Sequence, residues 1–219
     1  SDGTRITSLI GTSLIYDTLD NRFNPREGVY ARFTTEVAGL GGDTRFWRNT
    51  AKARAYREIV PAYGVVGMVR VEGGAMEALD DELRIQDQFF VGGDIIRGFD
   101  NSGIGPRDRR SGEALGGRYY IAGTMEATFP IPFLPPEAGL NGAVFADAGS
   151  LWGVDPDIVA RNGGAGTIVS DDFDIRASGG VGVLWKSPFG PIRADFAVPF
   201  IEREEDETQV FRLSGGTQF

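Results

Sequence analysis

The stretch Arg118-Tyr-Tyr-Ile-Ala-Gly-Thr-Met-Glu-Ala-Thr-Phe-Pro-Ile131 alternates between apolar and polar side chains along most of its length. Its apolar positions are Tyr119, Ile121, Met125, Ala127, Phe129 and Ile131. Its polar positions, which fall between them, are Arg118, Thr124, Glu126 and Thr128. Successive side chains of a β-strand point to opposite faces, so this period of two predicts a strand with one apolar and one polar face.

Eight further segments have the same period, which brings the predicted strands to nine. They are residues 5–18, 28–39, 46–58, 64–76, 140–149, 175–186, 190–200 and 208–219. In segment 46–58 every charged residue but one falls on a single face, which predicts a strongly charged interior.

The connections between these segments are unequal in length. Residues 24–28, 60–64, 134–139 and 187–191 are short and contain Pro and Gly, as tight turns do. Residues 76–117 and 150–174 are much longer. Short turns at one rim and long loops at the other are typical of outer-membrane barrels, so the sequence predicts an all-β, antiparallel transmembrane β-barrel. The alternative is a soluble β-sandwich or lipocalin-like barrel, whose strands also alternate.

The last predicted strand also indicates where in the cell the protein is located. Phe211, Leu213 and Phe219 share its apolar face, and Arg212 lies on the polar face. A terminal aromatic residue resembles the sorting signal of bacterial outer-membrane barrels. We therefore expect an integral protein of the bacterial outer membrane.

Composition removes several classes of function. The 219 residues include no Cys and no His, and the net charge is −9. These features exclude disulfides, thiolate or histidine metal sites and Ser-His-Asp catalysis, and they argue against binding to nucleic acid. We expect no enzyme activity, no catalytic residue, no metal and no cofactor. The first residues lack the apolar core of a signal peptide, so we expect a mature chain or a fragment.

The loop before Arg118 contains the most specific motif. Residues 90–107 read Phe-Val-Gly-Gly-Asp-Ile-Ile-Arg-Gly-Phe-Asp-Asn-Ser-Gly-Ile-Gly-Pro-Arg. Ile96, Arg97, Gly98 and Phe99 resemble the [Ile/Val]-Arg-Gly-[Phe/Tyr] signature of the Omp85 superfamily. In that family the motif sits at the tip of a long loop folded into the barrel.

Two more motifs occur in the family's order and spacing. Phe145, Asp147 and Gly149 resemble its Phe-x-Asp-x-Gly strand, and Gly190–Phe200 resembles its penultimate strand. The resemblance covers essentially the whole chain. It implies that residues 1–219 are the C-terminal part of an Omp85 (bacterial surface antigen D15) barrel of about sixteen strands, with residues 77–117 as the in-folded loop.

Alternation alone places Glu126, Phe145 and Asp147 on polar faces of neighbouring strands, so an inserted arginine would find two carboxylates there. The resemblance further implies that Arg97 pairs with Glu126 and Asp147 while Phe145 packs against the loop, next to Gly149. The alternatives are a solvated turn arginine and, for the carboxylates, a glycosidase acid–base pair.

The resemblance also implies a function: an assembly factor that folds and inserts β-barrel proteins through a lateral seam. The last strand would supply one side of that seam, with Phe211, Leu213, Gly215, Gly216 and Phe219 as its residues. The implied partners are the lipid bilayer, unfolded outer-membrane proteins and accessory assembly lipoproteins. Alternatives are a two-partner secretion exporter or a related translocation and assembly protein, a passive porin, and a soluble ligand-binding barrel. The acidic run at residues 202–207 is interpreted as a solvated loop.

Overall fold

The computed structural model describes residues 8–39, 45–79, 83–187 and 190–215. Its strands, in chain order, are β1 (Leu9–Asp17), β2 (Gly28–Ala38), β3 (Phe46–Val60), β4 (Val65–Ala78), β5 (Gly98–Phe99), β6 (Arg107–Asp108), β7 (Tyr119–Pro130), β8 (Leu140–Trp152), β9 (Ile168–Val169), β10 (Arg176–Ser187), β11 (Gly190–Ile201), β12 (Thr208–Gln209) and β13 (Phe211–Gly215). The helix α1 spans Pro156–Arg161, and single 3-10 turns occupy Pro61–Tyr63, Ile85–Asp87, Pro136–Ala138 and Ala165–Thr167.

Nine of these strands form one antiparallel sheet in the order β1-β2-β3-β4-β7-β8-β10-β11-β13. Each of these nine strands pairs with the next of the nine in chain order, so the sheet is a meander like the wall of a transmembrane barrel. Within the described residues β1 and β13 are its two edges, and the sheet does not close on itself. The predicted fold class and the nine predicted strands are confirmed.

The two faces of the sheet have opposite chemistry. Large apolar side chains are exposed on the outer face, among them Met125 (67% exposed) and Phe196 (54%). Glu126 and Asp147 are buried on the inner face. A soluble barrel buries its apolar face instead, so this arrangement is that of a wall with lipid outside and a polar lumen inside. Within the described residues, no helix has the length and hydropathy needed to cross a membrane.

The long connections lie at one rim of the sheet, which we call the loop rim. The connection from β4 to β7 folds back over the inner face, where Val91, Ile104 and Leu151 form a buried apolar cluster with the tip of the loop. The connection from β8 to β10 packs against the loop. There β6 pairs with β9, and Leu115, Val154, Ile158 and Ile168 form a second cluster.

Polar contacts also join the β8–β10 connection to the loop. The buried Gln88 side chain donates to the Leu115 carbonyl at 2.7 Å and accepts from the Asp155 amide at 3.0 Å. Asp155 also caps α1, because its carboxylate accepts the Asp157 amide. Beside it, the Ser111 amide, the Asn162 side chain and the Arg110 amide donate to Asp108 and hold the pKa of that carboxyl below its usual value.

Candidate functional site: the loop lock

The in-folded loop presents residues 96–99 to the inner face of the sheet, and we call these residues with their partners the loop lock. Ile96 and Phe99 are fully buried in the inner apolar cluster and anchor the motif on both sides. Between them, Gly98 has φ +94°, and a Cβ there would lie 3.2 Å from the Cβ of Ser178. Glycine is therefore suited to this position by conformation and by space.

Arg97 points at two carboxylates on neighbouring strands. Its Nε and Nη2 donate to the Asp147 oxygens at 2.7 and 2.8 Å, and its Nη1 donates to Glu126 Oε2 at 2.7 Å. The main-chain N–H of Arg97 also donates to Asp147, at 3.0 Å. The Arg97 side chain is 11% exposed and that of Asp147 is 0% exposed. A planar guanidinium with two bonds to one carboxylate and a third to another is held in a single orientation.

The predicted Phe-x-Asp-x-Gly residues of β8 surround this arginine. The guanidinium carbon of Arg97 lies 3.4 Å from the centre of the Phe145 ring, in cation–π geometry. A Cβ on Gly149 would lie 2.6 Å from Ile96 Cδ1 and 2.6 Å from the Ile121 carbonyl oxygen. The structure thus brings all eight predicted residues of the loop and its luminal partners into one site.

Two residues of the site on β11, Arg193 and Asp195, were not singled out from the sequence. Arg193 donates to both oxygens of Glu126, at 3.0 and 2.8 Å, and its Nε donates to Asp195 at 2.7 Å. Arg97 and Arg193 therefore share Glu126, and the site contains two guanidiniums and three carboxylates. The signal is present in the sequence, because the alternation of residues 190–200 places Arg193 and Asp195 together on the polar face.

Two more side chains hold the backbone of the motif. The Ser178 hydroxyl on β10 donates to the Arg97 carbonyl oxygen. Arg70 on β4 donates to the Ile95 carbonyl at 2.8 Å and to the Thr124 hydroxyl at 3.0 Å. The loop is thus bonded to strands on both sides of β7 and β8, and its orientation is set by the wall as a whole.

The predicted seam strand begins later than expected. β13 is described over Phe211–Gly215, and Phe211 and Leu213 face outward as predicted. Gly216 and Phe219, the other predicted seam residues, lie outside the described residues. Residues 208–209 were predicted to belong to the same strand, but they form β12 and pair with β5 in the loop instead.

The prediction that residues 202–207 are simply a solvated loop is wrong for Asp206. The Asp206 carboxylate accepts from Arg176 Nε at 3.0 Å, and the exposed fractions of these side chains are 1% and 0%. Glu207 accepts from the buried Arg107 at 2.9 Å. Arg176 thus holds the Asp206 side chain inward, whereas the Glu207 side chain is 58% exposed. Nothing in the local sequence indicates such distant partners.

Comparison with known proteins agrees with this geometry. A sequence profile of the Omp85 superfamily domain matches residues 1–219. The outer membrane protein assembly factor BamA of Neorickettsia risticii is 36% identical over 213 residues, which cover 97% of this chain and 27% of that protein. A SAM50-like protein of Schizosaccharomyces pombe is 29% identical over 195 residues, covering 87% of this chain and 40% of that protein.

A solved structure shares the fold. The crystal structure of BamA from Haemophilus ducreyi lacking POTRA domains 1–3 superposes with a TM-score of 0.82 at 21% identity, covering 94% of this chain and 41% of that one. The chain spans about a quarter of the length of the two BamA relatives from Neorickettsia risticii and Nitratidesulfovibrio vulgaris (27% and 24%).

Proposed function

The chain belongs to the Omp85 superfamily, and from this premise we propose that it is the part of an outer-membrane protein assembly factor that offers a strand edge to its clients. The outward apolar face places the sheet in the outer membrane as an integral wall. The names of the similar BamA proteins describe assembly of outer-membrane proteins, which supports assembly over export by two-partner secretion. The Arg97-Gly98-Phe99 motif of the in-folded loop, which porins do not carry, disfavours a passive porin.

The observation that carries the proposal is the open edge at β13. As far as the structure describes this strand, it pairs with β11 along Phe211–Gly215. Within the described residues, no strand pairs with the other side of β13. An unpaired row of backbone N–H and C=O groups is a template on which another chain can form a strand.

The mechanism needs only backbone hydrogen bonds. A client's own terminal strand adds to the β13 edge, its apolar side chains face lipid from the start, and further hairpins follow in sequence. The loop lock keeps the loop against the inner wall while the edge exchanges partners. We propose that no covalent chemistry, cofactor or metal takes part, and that accessory lipoproteins act through parts of the full-length protein beyond these strands.

A site-specific photo-cross-linking experiment tests this proposal. A photoreactive residue replaces Leu213 on β13 in the full-length protein, and the matched control replaces Met125, which is equally lipid-facing but lies on the central strand β7. During client assembly we expect cross-links from the Leu213 position to the client's last strand, and few from the Met125 position. Equal yields at the two positions, or none at Leu213 while clients still assemble, would contradict the use of this edge.

A further inference from the structure

The terminal strand leaves the sheet before it reaches the loop rim. The Ala197 amide donates to the Val210 carbonyl at 2.9 Å, which is the last bond between β11 and the terminal segment at that end. Continuing the same register would place Thr208 opposite Pro199. The next donor toward the terminal segment would then be the nitrogen of Pro199, which has no hydrogen. The chain thus has a chemical reason to part from β11 at this point.

Beyond that point the terminal segment pairs with the loop lock itself. Thr208 lies opposite Phe99 and Gln209 opposite Gly98, in antiparallel register. The Glu207 carbonyl accepts the Asp100 amide at 2.8 Å, and the Glu207 amide donates to the Gly103 carbonyl at 2.9 Å. Both backbone groups of Glu207 are thus satisfied by the loop.

The Arg212 side chain is a second link between the terminal segment and the loop. It lies on the inner face of β13, and its Nη2 donates to Asp94 Oδ1 at 2.6 Å and to Asn101 Oδ1 at 2.7 Å. A Cβ on Gly93 would lie only 2.1 Å from its Nη1, so the absence of a side chain there leaves room for the guanidinium. Asp94 and Asn101 precede and follow residues 96–99 in the chain, so one side chain bonds to both ends of the motif.

We infer that Arg212 is a positioning residue that fastens the terminal strand to the loop lock, so that loosening either one loosens the other. Its Nη2 donates to both flanks of the motif, while β12 pairs with Gly98 and Phe99 in the centre of the motif. The loop therefore holds the terminal segment in its bent path, and the segment in turn covers the loop. The consequence for client exchange rests on the proposed function, because it concerns the same β13 edge.

Hydrogen exchange of the full-length protein in detergent tests the coupling directly. The variant is Arg212→Ala, and the readouts are the peptides covering residues 94–104 and 206–215. We expect exchange to become faster by about five- to tenfold in both peptides, because charge-assisted bonds at both flanks of the motif are lost. The matched control is Arg203→Ala, which removes a rim arginine that also donates to an aspartate, Asp174, at 2.6 Å. It should leave peptide 94–104 unchanged.

A second pair of variants separates positioning from general damage. Arg212→Lys keeps the charge but lacks the second guanidinium nitrogen, which donates to Gln209 at 3.2 Å, so it should restore protection only in part. Combining Arg212→Ala with Arg97→Ala should accelerate exchange by clearly less than the product of the single effects, because both act on one coupled unit. Multiplicative effects, or faster exchange confined to residues 206–215, would overturn the inference.

The inference and the proposed function fail in different ways. The client cross-link at Leu213 can be measured in the same variants. If the exchange rates of peptides 94–104 and 206–215 change together but no client cross-link forms at Leu213, the proposed use of the β13 edge is refuted and Arg212 remains a positioning residue. A client cross-link together with uncoupled exchange would refute the role of Arg212 and leave the edge in place.

Discussion

Replacing Arg97 with alanine removes the centre of the loop lock, and the structure indicates how much this should cost. Arg97→Ala deletes three charge-assisted bonds and the cation–π contact with Phe145. It leaves Asp147, whose side chain is 0% exposed, with the main-chain N–H of position 97. Removing one partner of a buried ion pair typically costs about 3–5 kcal/mol, and we expect the locked state of the loop to lose an amount in this range.

The three members of the site should differ in a defined order. Asp147→Ala should cost about as much as Arg97→Ala, since it breaks the same buried ion pair and leaves the Arg97 guanidinium with Glu126 alone. Glu126→Gln should cost less, about 1–2 kcal/mol. After that change Arg97 retains Asp147, and Arg193 retains Asp195.

The assay is amide exchange of the loop peptide 99–104 in the full-length protein, supported by heat-resistant migration of the folded barrel and by the levels of outer-membrane proteins in cells. A loss of 3–5 kcal/mol corresponds to about a hundredfold or more in the opening equilibrium. An effect below tenfold for Arg97→Ala, or equal effects for Glu126→Gln and Asp147→Ala, would refute the reasoning. Combining Arg97→Asp with Asp147→Arg should rescue protection only in part, because the exchanged charges still face each other but an aspartate at position 97 has no N–H to donate to Glu126.

Two further predictions concern packing and charge elsewhere in the site. Gly149→Ala should destabilise the barrel by about 1–3 kcal/mol in thermal unfolding, because the new Cβ meets a carbonyl oxygen at 2.6 Å, whereas Gly123→Ala, with its nearest atom at 3.7 Å, should be tolerated. Asp206→Ala should lower the unfolding temperature markedly and expose the loop rim to protease, because it leaves the buried Arg176 without its carboxylate partner. The control is Glu204→Ala, which changes an exposed residue of the same acidic run. Equal behaviour of either pair would contradict these assignments.

Much of this fold was available from the sequence because a lipid-facing wall imposes a strict period of two. Segment 118–131 was predicted within one residue at each end, since each residue that faces the wrong medium is costly. Face assignment then placed Glu126, Phe145 and Asp147 on the inner side without any knowledge of the loop. Their meeting with Arg97 needed the family resemblance, because strand alternation says nothing about where a forty-residue connection returns.

The contacts that sequence reasoning missed all join distant segments. Alternation placed Arg193 on the inner face but did not show that its strand would bring it to Glu126, 67 residues away in the chain. The split of the last strand at Val210 is another case. Residues 208–215 alternate well enough for one strand, and the cause of the split is the missing N–H of Pro199 on the neighbouring strand together with the competing edge of the loop.

The loop lock combines two kinds of interaction that do different work. Ile96 and Phe99 are fully buried, and each contributes about 1.5–3 kcal/mol from apolar burial, which is not directional. The ion network contributes less net stability than its bonds indicate, because taking two guanidiniums and three carboxylates out of water is costly. Its geometry, however, admits only one rotation and depth of the loop. An apolar plug of equal volume would hold the loop without fixing its register against β12, and register is what the pairing of Gly98 with Gln209 requires. We therefore expect apolar substitution of the whole network to keep the loop in the lumen while the protection of residues 206–215 is lost.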